Sequence, residues 1–312
     1  MPVSDAVLFP GQGSQYAGMA DPWTAHPAGK SVLEEASDAW GRDLVATCRD
    51  EDALALTEVV QPAVFACDLA AFRVLEAESA AFTATAGHSL GEFAALVAAG
   101  ALDLAPALQT VIIRGQAMQE ASDLEPSTMT AILGMTKEEA ADLCEVAGRG
   151  DVLQVANENA PSQVVLSGSV AAIERAEELA RSGNAKAIRL KVAGAFHSPL
   201  MKPALQRVRQ AIADLQFHEP RFAVIPNVSG RPTTEPSALR DLLSRQMTAP
   251  VRWETTMNAM DGIGITRYAE AGPGEVLAKL AKRCVKGARA VAIGSVEDAV
   301  SFASAEQQET NG

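Results

Sequence analysis

Gly87-His88-Ser89-Leu90-Gly91 spells G-x-S-x-G, and the segments on either side of it decide the fold. The preceding segment, Ala80 to Ala86, is apolar and partly β-branched and predicts a buried strand. The following segment, Glu92 to Ala99, predicts a helix that ends near Gly100. A strand, a tight turn and a helix are the context in which the serine of this motif stands exposed at the top of an α/β sheet. Ser89 is therefore a candidate nucleophile.

The composition is that of an ordinary globular protein. The chain has 312 residues, of which 48% are hydrophobic and 21% are charged, and this is enough for one large domain or two smaller ones. It shows neither a membrane-length apolar run nor the features of a signal peptide, so we expect a cytoplasmic protein that does not bind membranes. A net charge of −13 argues against nucleic acid as a partner. Four scattered cysteines lack metal-ligand or redox spacing, so we expect reduced thiols and no metal: Cys48, Cys67, Cys144 and Cys284.

A second pattern starts where the composition shifts, at Asp123 to Ser127. From Met129 to Val192 the chain reads strand, helix, strand, strand, helix, strand, which is a ferredoxin-like βαββαβ order. Thr136 and Glu139 predict a capping box at the start of the first of these helices. We therefore predict an α/β fold in which a ferredoxin-like small subdomain is inserted into an α/β-hydrolase-like catalytic subdomain. The predicted boundaries are 127–193 for the small subdomain and 1–126 with 194–312 for the catalytic one.

Further elements of the catalytic subdomain follow from periodicity and turn residues. The pattern predicts helices over 57–79, 104–121, 203–215 and 276–283, and strands over 6–9, 222–228 and 267–270.

A serine nucleophile needs a base within hydrogen-bond reach, and the chain has four histidines. His88 adjoins Ser89, but its side chain should point away from the turn. His26 and His218 lie in polar stretches beside prolines and read as surface residues. His197 lies in the loop that returns from the inserted module, so it is the best-placed candidate base.

Several short motifs occur together in a fixed order. They are Pro10-Gly11-Gln12-Gly13-Ser14-Gln15, Gln61-Pro62-Ala63, Gly87-His88-Ser89-Leu90-Gly91-Glu92, Arg114-Gly115-Gln116-Ala117-Met118, Gln163-Val164-Val165-Leu166-Ser167-Gly168, His197-Ser198-Pro199-Leu200-Met201, Asn227-Val228-Ser229-Gly230 and Gly272-Pro273-Gly274. From about residue 5 to residue 290, the chain resembles malonyl-CoA:acyl carrier protein transacylases and the related acyltransferases of polyketide synthesis.

The resemblance implies a role for each catalytic group. Ser89 would be the nucleophile and His197 its general base. In this family a backbone carbonyl holds the histidine in place of an acid, and the matching position here is Gln246. The backbone N–H groups of Gln12 and Leu90 would form the oxyanion hole.

The resemblance also implies how the acyl group is chosen. Arg114 would hold the free carboxylate of a malonyl group in a bidentate pair. Asn159 and Gln163 would line the cleft. Leu90 and Phe196 match the malonyl-selecting form of the family, and a bulky Phe196 leaves little room for an α-methyl branch. The four-residue block before and including His197 usually opens with histidine, whereas this chain has Gly194 there.

The implied reaction is ping-pong transfer of a malonyl group from CoA to the phosphopantetheine thiol of an acyl carrier protein, with a CoA thioester as substrate and no bound cofactor. We expect a monomer. Carrier proteins of this family are acidic, so binding to this acidic chain needs a local basic patch. One candidate is formed by Lys279, Lys282, Arg283, Lys286 and Arg289, although a solvated helix face is an equally good reading.

Alternatives stay open at this point. A serine thioesterase or other hydrolase shares the strand, turn and helix around the serine. However, its catalytic residues normally include an Asp or Glu, and it has no need for Arg114. A non-catalytic docking partner of carrier proteins is a second alternative. Within the transferase reading, the chain could serve fatty acid synthesis or act in trans on a polyketide assembly line. It could also use another acyl group or a carrier-bound donor.

Overall fold

The structure is a computed structural model that describes residues 4–310. Its strands are β1 (Asp5–Phe9), β2 (Ala84–Gly87), β3 (Ser127–Leu133), β4 (Leu153–Ala160), β5 (Gln163–Ser169), β6 (Lys186–Arg189), β7 (Ala223–Val224), β8 (Arg267–Ala271) and β9 (Arg289–Ile293). Its α-helices are α1 (Pro27–Trp40), α2 (Leu44–Thr47), α3 (Glu51–Leu54), α4 (Thr57–Ala77), α5 (Gly91–Ala98), α6 (Leu104–Leu124), α7 (Lys137–Gly148), α8 (Val170–Ser182), α9 (Lys202–Ala213), α10 (Pro236–Arg245), α11 (Trp253–Gly262), α12 (Val276–Cys284) and α13 (Val296–Thr310). Short 3-10 helices span Asp21–Ala25, Pro199–Met201 and Gln246–Thr248.

The larger sheet is parallel throughout and has the strand order β7-β2-β1-β8-β9. Its central strand β1 is buried on both faces, because Val7 and Phe9 belong to one hydrophobic cluster whereas Ala6 and Leu8 belong to another. Helices therefore cover both faces, as a parallel sheet requires. The carboxyl ends of β1 and β2 lie side by side, so the loops that follow them meet at one edge of the sheet.

The smaller sheet is antiparallel and has the strand order β4-β5-β3-β6. One face packs against α7 and α8 through a cluster that includes Ile132, Leu143, Leu166 and Ile173. The α/β fold with an inserted βαββαβ unit is confirmed, and so is the capping box at Thr136. The exact subdomain boundaries stay a prediction.

A short parallel pairing joins strand β4 of the smaller sheet to the segment just before α11. Val251 donates its N–H to the carbonyl of Ala156 at 2.8 Å and accepts from the N–H of Glu158 at 2.9 Å. Strand β4 has a register shift between Val155 and Asn157, where one extra residue breaks its alternation. The segment before Val251 is thereby held beside the small sheet, where the loop of His197 also lies.

Three strands are shorter than predicted. β2 begins at Ala84 instead of residue 80, and β6 ends at Arg189 instead of residue 192. β7 has two residues where seven were predicted, because the chain leaves the ladder after Ile225 at Pro226, which has no N–H to donate.

One strand was not predicted. β9 pairs in parallel with β8, so Arg289 of the predicted basic patch belongs to a strand, and α12 ends before Lys286. Within residues 4–310 there is no helix with the length and apolar character that crossing a bilayer would require.

Candidate active site

Ser89 lies on a sharp turn between β2 and α5, and its φ angle of 53° is in the left-handed region. A side chain at either flanking glycine would collide with backbone. A Cβ atom at Gly87 would lie 1.9 Å from the Gly91 carbonyl, and one at Gly91 would lie 2.1 Å from the oxygen of Phe9. The two glycines of the motif therefore let a strand, a strained serine and a helix meet in five residues.

His197 is the partner of Ser89. Its Nε2 atom lies 2.7 Å from Ser89 Oγ, although the two residues are 108 positions apart. Its Nδ1 atom faces two main-chain carbonyls, those of Gln246 at 3.0 Å and Ala249 at 3.1 Å. Because a carbonyl can only accept, Nδ1 must carry the ring hydrogen, which leaves Nε2 free to accept from the serine hydroxyl. Burial, and next the charge of Arg114, lower the pKa of His197 to about 3, so the imidazole is neutral at ordinary pH.

Arg114 points its guanidinium at the hydroxyl of Ser89. Its Nη2 atom donates to Ser89 Oγ at 3.1 Å and to Gln246 Oε1 at 3.3 Å, and its Nη1 atom donates to Gln61 Oε1 at 2.7 Å. The residue is 2% exposed, and burial lowers its pKa to about 10, which still leaves it cationic at neutral pH. A desolvated cation beside a nucleophile is a strong site for a substrate anion.

Gln246 connects the base, the cation and the turn of the nucleophile. Its main-chain carbonyl oxygen holds His197. Its side-chain Nε2 atom donates to the main-chain carbonyl of Ser89 and to Glu92 Oε2, both at 2.8 Å. Glu92 is buried on the first turn of α5, and burial raises its pKa to about 7 against the opposing effect of hydrogen bonds from Gln246 and Asn227. The predicted holder of the histidine thus contacts every charged group of the site.

These side chains surround a cavity of about 90 Å³. Its wall comprises Gln12, Gln61, His88, Ser89, Leu90, Arg114, Met118, Met129, Asn157, Leu190, Val192, Phe196 and His197. A larger cavity of about 420 Å³ adjoins it and shares the wall residues Gln12 and Val192. The cavity at Ser89 therefore continues into a larger one on the side of the Gln12 loop.

The loop of Gln12 packs directly onto the turn of the nucleophile. A Cβ atom at Gly11 would lie 2.5 Å from the carbonyl oxygen of His88 and 3.7 Å from the nitrogen of Leu90, so only glycine permits this approach. Leu90 precedes the first residue of α5, where N–H groups are free of intrahelical partners. The two N–H groups expected to form the oxyanion hole therefore belong to adjacent backbone segments.

Two predicted cleft residues lie elsewhere. Asn159 Oδ1 contacts His88 Nε2 at 2.9 Å, behind the turn, and Gln163 accepts a hydrogen bond from Arg283 on α12. Within residues 4–310, the wall of the cavity contains Asn157 in their place. His88, the alternative base, points away from Ser89 as expected and lies against Trp253 in a tilted arrangement, with 5.4 Å between ring centroids.

Phe196 and Leu90 both line the cavity, and they are 7% and 1% exposed. Gly194, which departs from the usual histidine of this block, is packed against Ser122. A Cβ atom at Gly194 would lie 2.2 Å from Ser122 Oγ, so a larger residue would need a different partner on α6. The absence of a side chain at Gly194 therefore leaves the space that Ser122 occupies in this chain.

Sequence reasoning missed the contacts of three buried polar side chains. Gln61 holds Arg114, Glu92 accepts from Gln246, and Asn227 bonds to both sides of the Ser89 turn. Each lies in a motif that carried the resemblance, and each is at most 1% exposed. A buried amide or carboxyl in an apolar stretch is the signal that could have identified them.

Comparisons with known proteins agree with this geometry. The family model of the acyl transferase domain matches residues 7–309. A malonyl CoA-acyl carrier protein transacylase from Haemophilus influenzae is 39% identical over 97% of this chain and 98% of its own. The solved malonyl CoA-acyl carrier protein transacylase of Coxiella burnetii superposes with a TM-score of 0.94 at 38% identity, covering 97% of this chain and 98% of that one.

A further solved structure is a malonyl-transacylase in complex with a type II polyketide synthase acyl-carrier protein. It has a TM-score of 0.93 at 35% identity, and the match covers 97% of this chain and 99% of that chain. With a hydrogen-bonded serine–histidine pair, a facing arginine and full-length similarity in both sequence and structure, the chain belongs to the malonyl CoA-acyl carrier protein transacylase family of acyl transferase domains.

Proposed function

We propose that this chain transfers a malonyl group from malonyl-CoA to the phosphopantetheine thiol of an acyl carrier protein through an acyl-Ser89 intermediate. The observation that carries the proposal is the buried guanidinium of Arg114, which lies 3.1 Å from Ser89 Oγ in the wall of a small cavity. A hydrolase of neutral esters has no use for a cation at this place. A malonyl thioester needs one, because its free carboxylate must be desolvated as it enters the cavity.

In the first half-reaction, Ser89 Oγ attacks the thioester carbonyl carbon of malonyl-CoA while His197 Nε2 takes the hydroxyl proton. The carbonyl oxygen becomes an oxyanion, which the N–H groups of Gln12 and Leu90 stabilise. The tetrahedral intermediate then collapses. The carbon–sulfur bond breaks, the proton passes from His197 to the CoA sulfur, and malonyl-Ser89 remains.

The second half-reaction runs the same steps in reverse order. The phosphopantetheine thiol gives its proton to His197, its sulfur attacks the ester carbonyl, and the Ser89 oxygen leaves and recovers the proton. The adjoining cavity of about 420 Å³ gives the pantetheine arm a route to the ester. Water must be kept from the same ester, and the small volume around Ser89 supports this.

Orientation of His197 by carbonyls suits an anionic substrate. The two partners of Nδ1 are the carbonyls of Gln246 and Ala249, and within residues 4–310 no carboxylate bonds to this ring. A carboxylate in place of these carbonyls would repel the malonyl group in a site of low dielectric. The dyad fixes the ring tautomer without that cost.

Selection among acyl groups rests on two contacts. Arg114 binds the carboxylate, which distinguishes malonyl from acetyl, and Phe196 fills the space that an α-methyl branch needs. A single methyl group gives only about 1–3 kcal/mol of discrimination, so we expect methylmalonyl-CoA to be disfavoured by a modest factor.

The carrier protein would dock beside α12. The side chains of Lys279, Lys282, Arg283, Lys286 and Arg289 are all exposed, on the helix and the segment after it. Lys279 pairs with Glu275 and Arg283 donates to Gln163, which leaves Lys282 and Lys286 as the side chains that a carrier would meet first. A local basic patch would offset the repulsion between an acidic carrier and a chain of net charge −13.

We further propose a monomeric, cytoplasmic protein. The four cysteines carry free thiols, which supports a reducing compartment. Light scattering tests the oligomeric state. Assays with fatty acid and polyketide carrier proteins show which of the two pathways the enzyme serves.

The experiment that tests the function uses malonyl-CoA labelled in the malonyl group. We expect label to appear on holo-acyl carrier protein and CoA to be released in equal amount. Release of free malonate with no labelled carrier would favour the thioesterase alternative. Transfer from a malonyl carrier protein but not from malonyl-CoA would favour the carrier-bound donor.

A further inference from the structure

Asn227 is fully buried and its side chain spans the turn of the nucleophile. Its Nδ2 atom donates to the carbonyl of Gly87 at 2.6 Å, and its Oδ1 atom accepts from the N–H of Ser89 at 2.7 Å. The backbone of Asn227 is engaged elsewhere. Its N–H donates to Glu92 Oε2 at 3.1 Å and its carbonyl accepts from the N–H of Arg252 at 3.1 Å.

This pair of side-chain hydrogen bonds continues the β2–β7 ladder. In a parallel ladder, one residue donates its N–H to the residue before its partner and accepts from the residue after it. Ile225 still donates its N–H to Thr85 in this way, but Pro226 then turns the chain out of the ladder. The next such position belongs to residue 227, whose partner is His88. There the side-chain amide makes the two bonds that a strand backbone would make.

The need for these bonds comes from the strain at Ser89. A residue with a side chain is unfavourable in the left-handed region, and such a conformation persists only where the surroundings fix it. The amide of Asn227 fixes the residues on both sides of the turn. Glu92 in turn fixes the backbone of Asn227, so the support reaches from β7 to α5.

We propose that Asn227 is a positioning residue whose side-chain amide replaces a strand backbone and fixes the Ser89 turn in its reactive conformation. The inference rests on the proposed role of Ser89 as nucleophile. Without the amide, Ser89 Oγ and the N–H of Leu90 would lose their alignment with His197 and with the developing oxyanion.

Asn227→Asp tests this through its pH dependence. A protonated carboxyl has the shape of the amide, because its O–H donates to Gly87 and its carbonyl accepts from Ser89. An ionised carboxyl instead sets a negative oxygen against the Gly87 carbonyl. Burial and the facing carboxyl of Glu92 disfavour ionisation of the introduced group, so we expect its pKa to lie well above the ordinary value for Asp.

The measurement is the single-turnover rate constant for malonyl-enzyme formation from malonyl-CoA, relative to wild type at each pH. We expect this ratio for Asn227→Asp to be about one hundredth at pH 8 and to recover to within a few fold near pH 5.5. The control Asn227→Leu can neither donate nor accept and should stay slow at both pH values. A rate constant does not depend on the fraction of active protein, so a purely structural defect would lower only the amplitude.

A ratio for Asn227→Asp that does not change with pH would overturn the inference, whether the activity is high or low. If Asn227→Leu does not fold, Asn227→Asp still decides, because its ratio to wild type at pH 8 is compared with its ratio at pH 5.5. Wild-type protein that forms no malonyl-enzyme would contradict the proposed function instead, so the two failures are distinguishable.

Discussion

Arg114 and Ser89 meet directly, with the guanidinium Nη2 atom donating to the hydroxyl oxygen at 3.1 Å. The same hydroxyl is 2.7 Å from His197 Nε2, so it donates to the base and accepts from the cation. On the proposed mechanism, the guanidinium would bind the carboxylate at the far end of the acyl group that Ser89 carries. We propose that Arg114 thereby couples recognition of the malonyl group to the chemistry.

Arg114→Ala should therefore discriminate between acyl groups. We expect kcat/KM for malonyl-CoA to fall about a hundredfold, because a buried charge-assisted pair is lost, while kcat/KM for acetyl-CoA stays within a few fold of wild type. Arg207→Ala is the control, since Arg207 pairs with Glu120 on the surface. Equal loss for both donors would show that Arg114 does not bind the carboxylate.

The same substitution should change the acid side of the pH profile. In the wild type, burial and then the Arg114 charge hold the pKa of His197 near 3, so this base stays unprotonated above about pH 5. Removing the guanidinium removes a charge that disfavours the imidazolium, so the pKa of His197 should rise toward its ordinary value. With acetyl-CoA as donor, the single-turnover rate of Arg114→Ala should begin to decline at a higher pH than the wild-type rate as the solution is made more acidic. Identical profiles would refute the electrostatic coupling.

Glu92 predicts a pH-dependent stability. Its pKa is raised by burial from 4.5 to about 7, so the folded state disfavours its charge. Below pH 4.5 the group is protonated in both the folded and the unfolded state, so it does not lower the free energy of unfolding. As the pH rises from 4.5 through 7, the burial of Glu92 lowers the free energy of unfolding by an amount that grows to about 3 kcal/mol.

Glu92→Gln keeps an acceptor for Gln246 and Asn227 but carries no charge. Its free energy of unfolding relative to wild type should therefore increase between pH 5 and pH 8 by up to about 3 kcal/mol. Denaturant titrations at the two pH values measure this, with exposed Glu138→Gln as the control. A difference that is independent of pH would mean that Glu92 is ionised throughout.

Charge reversal at the proposed docking patch should affect only the second half-reaction. Lys282→Glu places a negative charge on the exposed face of α12, and we expect KM for the carrier protein to rise about tenfold at low salt. The rate of malonyl-enzyme formation from malonyl-CoA should not change. Lys202→Glu, at the exposed start of α9, is the matched control. If both variants affect KM equally, the carrier does not dock at α12.

The strand, turn and helix around Ser89 could be predicted from sequence because their determinants are local. Two glycines, an apolar strand and a short helix lie within about twenty residues, and each has its own pattern. The pairing of Ser89 with His197 required more. Because the two residues are 108 positions apart, spacing alone predicts no contact, and the assignment came from the small number of histidines and from the resemblance.

The cleft residues of the small sheet show where sequence reasoning reaches its limit. Alternation along β4 cannot tell whether Asn157 or Asn159 faces the cavity, because the register shifts after Val155 and again after Glu158. The structure places Asn157 in the cavity wall and Asn159 against His88. A bulge has no clear sequence signal, and one residue of slip moves every side chain to the other face.

The support of Asn227 for the turn was also beyond sequence reasoning. It depends on the short β7, which ends at Val224, and on Pro226, which turns the chain out of the ladder so that a side chain takes the place of the backbone. Periodicity predicted a strand through residue 228, and in such a strand the amide of Asn227 would have had no special place.

The most direct test of the central claim is mass analysis of the intact enzyme and its Ser89 peptide after brief mixing with malonyl-CoA. The account predicts one malonyl group on Ser89, formed at least about a hundredfold more slowly in His197→Ala, absent in Ser89→Ala, and lost on addition of holo-acyl carrier protein. A malonyl group on another residue, or transfer to the carrier with Ser89→Ala at the wild-type rate, would contradict it.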